Sequence, residues 1–157
     1  MRSARLGYYY AGLNNRFWDL LAESGLTPRR YRYDEYERLL ELGIGITDLV
    51  KRPTRSAAEV TAAEYREGVA RLRSLAAELR PRVIAFNGKG VYLRAAGVQS
   101  APWGLQETRI VPGVADFVVP SPSGLARLPF AEKRHWYTEL RRALDALESG
   151  SESIGKA

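Results

Sequence analysis

Apolar residues recur along the chain at helical spacing in some stretches and as short continuous runs in others, which predicts helices alternating with strands. Asn14 or Asn15 caps a first helix running to about Ser24. Phe17, Leu20, Leu21 and the flanking Trp18 supply its apolar face, and Gly25 stops it. Pro28 marks a turn, a short helix is predicted over residues 34–42, and Gly43 ends it before a strand-like run at 44–47. Tyr65, Val69, Leu72, Ala76 and Leu79 alternate spacings of four and three, which lines them along one helical face that Pro81 closes. Residues 83–86 form an apolar run of strand length that feeds into Asn87-Gly88-Lys89-Gly90 and a helix over 91–96. Two further strands are predicted at 108–111 and 117–119, then a Pro-Ser-Pro-Ser-Gly turn. A last helix over 131–147 repeats apolar residues at Trp136, Leu140, Leu144 and Leu147.

This order predicts an α/β fold, an open and mostly parallel sheet with helices on both faces. Ligands of such sheets bind beyond the carboxyl ends of the strands, so the loops after Thr47, Phe86 and Val119 become the places to search. Residues 1–148 are expected to form one domain, with 149–157 as a disordered tail.

Composition narrows the chemistry. The 157 residues contain no cysteine and a single histidine, His135, which removes disulfides, thiolate zinc sites and imidazole metal clusters from consideration. Lys and Arg number 24 against 18 Asp and Glu, and this net charge of +6 favours a polyanionic partner without identifying one. No apolar run approaches the roughly 18 residues of a membrane helix, and a soluble, cytoplasmic protein is expected.

Each of the three strand ends carries an unusual group of residues. Thr47-Asp48-Leu49-Val50-Lys51-Arg52 sets an acid before two cations, although an acid after a strand is more often a cap. Asn87-Gly88-Lys89-Gly90 reads equally as a tight turn or as a helix start whose amides attract an anion. It has neither Walker nor dinucleotide spacing, which disfavours nucleotide hydrolysis. Pro120-Ser121-Pro122-Ser123-Gly124-Leu125-Ala126-Arg127 follows the third, while His135 reads as structural. Of the consecutive aromatics Tyr8, Tyr9 and Tyr10, at least one must face a surface or pocket.

The run from Gly7 through Tyr10 to Asn14-Asn15-Arg16-Phe17-Trp18 resembles a segment of the mismatch-specific uracil/thymine DNA glycosylases that ends in Asn-Arg-Phe-Trp. Gly45-Ile46-Thr47-Asp48-Leu49-Val50-Lys51-Arg52-Pro53-Thr54, Ala85-Phe86-Asn87-Gly88-Lys89 and the 120–127 segment follow in that family's order and at about its spacing. The resemblance covers roughly residues 3–147. It implies a uracil-DNA glycosylase-like fold and an enzyme that flips a base from the duplex and hydrolyses its N-glycosidic bond without metal or other cofactor. The partner it implies is double-stranded DNA with a mismatched or damaged base, and a monomer is the default.

By the same resemblance, Tyr10 stacks on the extruded base, Asn15 and Arg16 organise the pocket entrance and Asn87 shapes the pocket. Lys89 lies near a phosphate and Ser123 donates to another. Gly124, Leu125 and Ala126 form a wedge with Leu125 entering the stack, steadied by Arg127. The family assigns water activation to an Asn in a Gly-x-Asn-Pro-Gly loop after its first strand. Laid against it, Met1 falls about one residue past that motif, so the first strand and its loop are expected to be missing. Asp48 is then the candidate to orient water and offset charge on the sugar. Ser121-Pro122 stands where bacterial relatives often carry Asn-Pro, leaving the choice among uracil, thymine and damaged bases open. Two alternatives stand beside this reading: a lesion-binding remnant that hydrolyses little, and a nucleotide-binding domain of related topology.

Overall fold

The computed structural model describes residues 15–49, 60–124 and 127–149. Helix α1, Phe17–Glu23, begins where the Asn15 side chain accepts the Phe17 amide at 2.9 Å. Phe17, Trp18, Leu20 and Leu21, the expected apolar face, are all buried. Tyr33–Leu42 winds as a 3-10 helix, a distinction that periodicity over so short a stretch does not resolve. Helix α2, Ala62–Leu79, opens with a reciprocal cap in which Thr61 and Glu64 each bond the other's amide at 3.1 Å. Tyr65, Val69, Leu72 and Ala76 are buried as the spacing requires, but Leu79, in the last turn, is exposed.

Strand β1 is Val83–Asn87, helix α3 is Lys89–Ala96, strand β2 is Gly104–Leu105, strand β3 is Ala115–Val119, and helix α4 is Phe130–Ser149. Among the described residues the sheet order is β1-β3-β2, with β1 parallel and β2 antiparallel to β3. The result is a small open mixed sheet within an α/β fold. Every residue of β3 is buried, and its alternation assigns the two faces. Phe117 and Val119 pack with Phe17, Leu20, Tyr137 and Leu140 of α1 and α4. Val118 packs on the other side with Val69, Leu72 and Tyr92 of α2 and α3, joined by Phe86 of β1.

Two predicted strands are corrected. Residues 44–47 form no ladder, because the Ile44 amide donates to Leu39 O at 2.9 Å and so closes the preceding helix. Ile44 and Ile46 still pack against the α1/α4 core. Residues 108–111 are irregular, because side chains take the groups a neighbouring strand would use: the Ile110 amide donates to Asp116 Oδ2 at 3.0 Å, and Arg73 Nε donates to Ile110 O at 3.1 Å. The last helix begins one residue before the predicted start and includes Ser149, the first residue of the expected tail. Residues 150–157 and the 51–55 loop lie outside the described residues.

Asp116 is the one wholly buried acid among the described residues and sits among apolar side chains. Its Oδ2 accepts from Tyr92 Oη at 2.9 Å and from the Ile110 amide, tying α3 and the 106–114 connection to β3. Burial raises its carboxyl above the ordinary value of 3.8, against the pull of those hydrogen bonds and of Arg109. The folded chain therefore holds this proton more tightly than the unfolded chain. Stability linked to the group is complete below pH 3.8 and is lost as pH rises through the folded-state value. In urea titrations the stability of the wild type relative to Asp116→Asn is expected to fall as pH is raised above 3.8. A difference that stays constant or grows with pH would contradict this.

Candidate active site

The parallel pairing of β1 with β3 ends with Asn87 opposite Val119, so the loops that follow leave the sheet side by side. The Gly88 amide donates to Val119 O at 2.8 Å, which extends the ladder one step into the first loop. Gly88 has φ 114 and ψ 139, a conformation that residues with a Cβ avoid. A Cβ there would meet only Ser121 Cβ, at 3.9 Å, so backbone angle and not crowding demands the glycine.

The second loop is tied down at several points. Pro120 and Pro122 are fully buried, and the Ser123 amide donates to Ser121 Oγ at 3.2 Å. The Arg16 amide donates to Pro122 O at 2.9 Å, so the start of α1 joins this loop. Lys133, buried on α4, donates from Nζ to Ser123 O at 2.9 Å. Burial, and then the charge of Arg16, lowers the Lys133 pKa. Tyr137, one turn further along α4, is also buried and donates from its hydroxyl to Asn87 Oδ1 at 2.7 Å.

Asn15, Arg16, Asn87 and Ser123 thus meet at one edge of the sheet. The Arg16 guanidinium is half exposed, bonds Asp19 Oδ2 through Nε at 2.7 Å and lies 4.0 Å from the centroid of the Phe130 ring. Lys89 follows Asn87 and Gly88, and its Nζ sits 4.3 Å from the centroid of the Trp103 ring in a cation–π contact. Asp48 is exposed on the irregular stretch leading to Leu49, whose carbonyl accepts from Arg71 at 3.0 Å. That stretch is docked on α2 at Gly68, where a Cβ would collide with the Leu49 carbonyl. Gly124 and Arg127 are exposed. Tyr10, Leu125 and Ala126 lie outside the described residues.

Lys133 and Tyr137 are not among the candidates drawn from the sequence. Their signal was present: Lys133, Tyr137, Leu140, Leu144 and Leu147 repeat at four and three, so the lysine occupies a place in the apolar stripe where an aliphatic residue is expected. A groove of about 640 Å³ opens elsewhere, between α2 and α3, with Tyr65 and Val69 in its lining and Arg66, Arg73 and Arg94 around it. None of the candidate residues lines it. Among the described residues no group of His, Cys, Asp and Glu could hold a metal ion, and no helix is long and apolar enough to cross a membrane.

The sequence model of the uracil DNA glycosylase superfamily matches residues 1–145, and the chain belongs to that superfamily. Membership supports DNA glycosylase activity in general, a hydrolysis within DNA repair with DNA as the partner and uracil as the base that names the group.

Proposed function

We propose that this protein is a monofunctional glycosylase that flips uracil, and thymine less readily, out of G:U or G:T mismatched DNA and hydrolyses its N-glycosidic bond. The observation that carries the reading is the convergence of the Asn15-Arg16, Asn87-Gly88 and Pro122-Ser123 segments at the carboxyl edge of β1 and β3, joined by the backbone bonds from Arg16 and Gly88. Open α/β sheets bind ligands at this edge.

In the proposed reaction a water oxygen bonds to C1′ of the deoxyribose as the bond to the base nitrogen breaks. The bonding pair leaves with the base, which takes up the proton the water gives up, so the products are free uracil and an abasic site. Positive charge grows on the sugar before the water bond is complete, and a carboxylate beside it lowers that barrier. Asp48 is the proposed carboxylate. Tyr10 and Asn87 shape the base pocket, with Asn15 at its entrance. Arg16, Lys89, Ser123 and Arg127 contact the DNA strand, and Gly124, Leu125 and Ala126 fill the gap left by the flipped base. A mismatched base costs less to unstack, which favours G:U over paired sites. The exposed Arg16 guanidinium and the rigid Ser123 loop support the strand contacts. The protein is proposed to act as a monomer in the bacterial cytoplasm.

The test is single-turnover incubation with labelled duplexes carrying G:U, G:T or paired bases, followed by alkaline cleavage at abasic sites. Abasic product is expected from G:U first, with binding that weakens steeply between low and moderate salt as condensed counterions are released. Tight mismatch binding with no abasic product would overturn the proposal in favour of a lesion-binding protein. Affinity unchanged by salt would remove DNA as the partner.

A further inference from the structure

Lys133 and Tyr137 lie four residues apart on α4, hence on one face, and both are buried. Burying an ammonium or a phenol is costly unless the polar atom is bonded. Each solves this at a different loop. Lys133 Nζ donates to Ser123 O at 2.9 Å in the loop after β3, and Tyr137 Oη donates to Asn87 Oδ1 at 2.7 Å at the end of β1. The rest of the stripe, with Leu140 buried and Leu144 partly so, locks the helix to the Phe117 and Val119 face of the sheet. One rigid helix face therefore grips the ends of both parallel strands at their carboxyl edge.

We propose that Lys133 and Tyr137 are positioning residues that set the two loops of the excision site relative to one another, an inference that rests on the glycosylase reading above. Tyr137 acts on Asn87. A phenol hydrogen directed at Oδ1 fixes which end of the amide faces α4, so the flip state of Asn87 is set by a helix far away in sequence. Lys133 acts on the strand-contacting loop. Its bond to Ser123 O, with the Arg16 amide on Pro122 O, holds two successive carbonyls of that loop. Neither residue needs to touch substrate for its loss to be felt, because site geometry tolerates little displacement.

Substitutions at both residues test this. Tyr137→Phe removes one oxygen and is expected to slow single-turnover uracil release about tenfold, the equivalent of one well-placed hydrogen bond. In an Asn87→Ala background the same change is expected to have no further effect, since the partner is gone. A purely structural tyrosine would lower the unfolding temperature equally in both backgrounds and slow both alike. Lys133→Met is expected to slow release from a G:U duplex about tenfold, and Lys133→Arg, which keeps a cationic donor for Ser123 O, to restore most of the loss. Equal losses in the two variants, or none in either, would overturn the part assigned to Lys133. Should Lys133→Met fail to fold, a near-wild-type rate in Lys133→Arg upholds that part and a tenfold loss overturns it.

A readout without activity separates this inference from the glycosylase reading. The Asn87 side-chain NH2 pair, identified in an amide NMR spectrum by its disappearance in Asn87→Ala, is expected to move in Tyr137→Phe more than any other side-chain amide. An unmoved pair defeats the inference even if uracil is released. A moved pair in a protein that releases no uracil leaves the grip of α4 intact and defeats the glycosylase reading instead.

Discussion

Asp48→Asn is expected to lower the single-turnover rate of uracil release from a G:U duplex by about a hundredfold or more, the usual range for loss of a group that orients water and balances developing charge. If Asp48 acts as proposed, removing its negative charge leaves duplex affinity equal or slightly higher, so the loss belongs in the chemical step and not in binding. A rate equal to wild type at saturating enzyme would remove Asp48 from the reaction. The carboxylate would then be only a cap on the stretch that leads to Leu49.

Gly68→Ala is expected to destabilise the fold by about 1–3 kcal/mol, the range for overpacking a tight contact. The sign is the informative part, since alanine in a helix interior ordinarily gains about 1 kcal/mol over glycine. Here the added Cβ would fall on the carbonyl oxygen of Leu49 and 3.1 Å from its Cγ. A backbone carbonyl cannot rotate aside, so the stretch carrying Asp48 and Leu49 must lift from α2, breaking the bond from Arg71. Uracil release should fall with stability, and in an Asp48→Asn background the same change should cost stability but little further activity. Urea titration of the single variant checks the first effect. A gain in stability would mean that Leu49 does not dock on the helix as described.

The helices and the two longer strands were legible because each declares itself locally. The spacing of Tyr65, Val69, Leu72 and Ala76 can serve only a helix, and the run from Val83 into Asn87-Gly88 can end only in a turn. What escaped depends on residues far apart. Whether 108–111 pairs as a strand is decided by the Asp116 carboxylate and the Arg73 guanidinium, which claim its backbone from elsewhere in the chain. The strand that does pair, Gly104–Leu105, is two residues long and has no periodicity to read. The loops around Asn87 and Ser123 could be assigned to one edge of the sheet from strand order alone. The buried donors that fix them, Tyr137 and Lys133, show only their place in the helical stripe, because the loop each one bonds lies far off in the chain.

The paired prolines sealed beneath the loop after β3 bear on the thermodynamics of any duplex that docks there. Pro120 and Pro122 each have one backbone torsion locked by their rings, and both rings are enclosed by the interior. Such a segment has little configurational freedom left to surrender on association. The unfavourable ordering entropy of complex formation then falls mainly on the nucleic acid, and stiffening the duplex rather than the protein becomes the way to strengthen the complex.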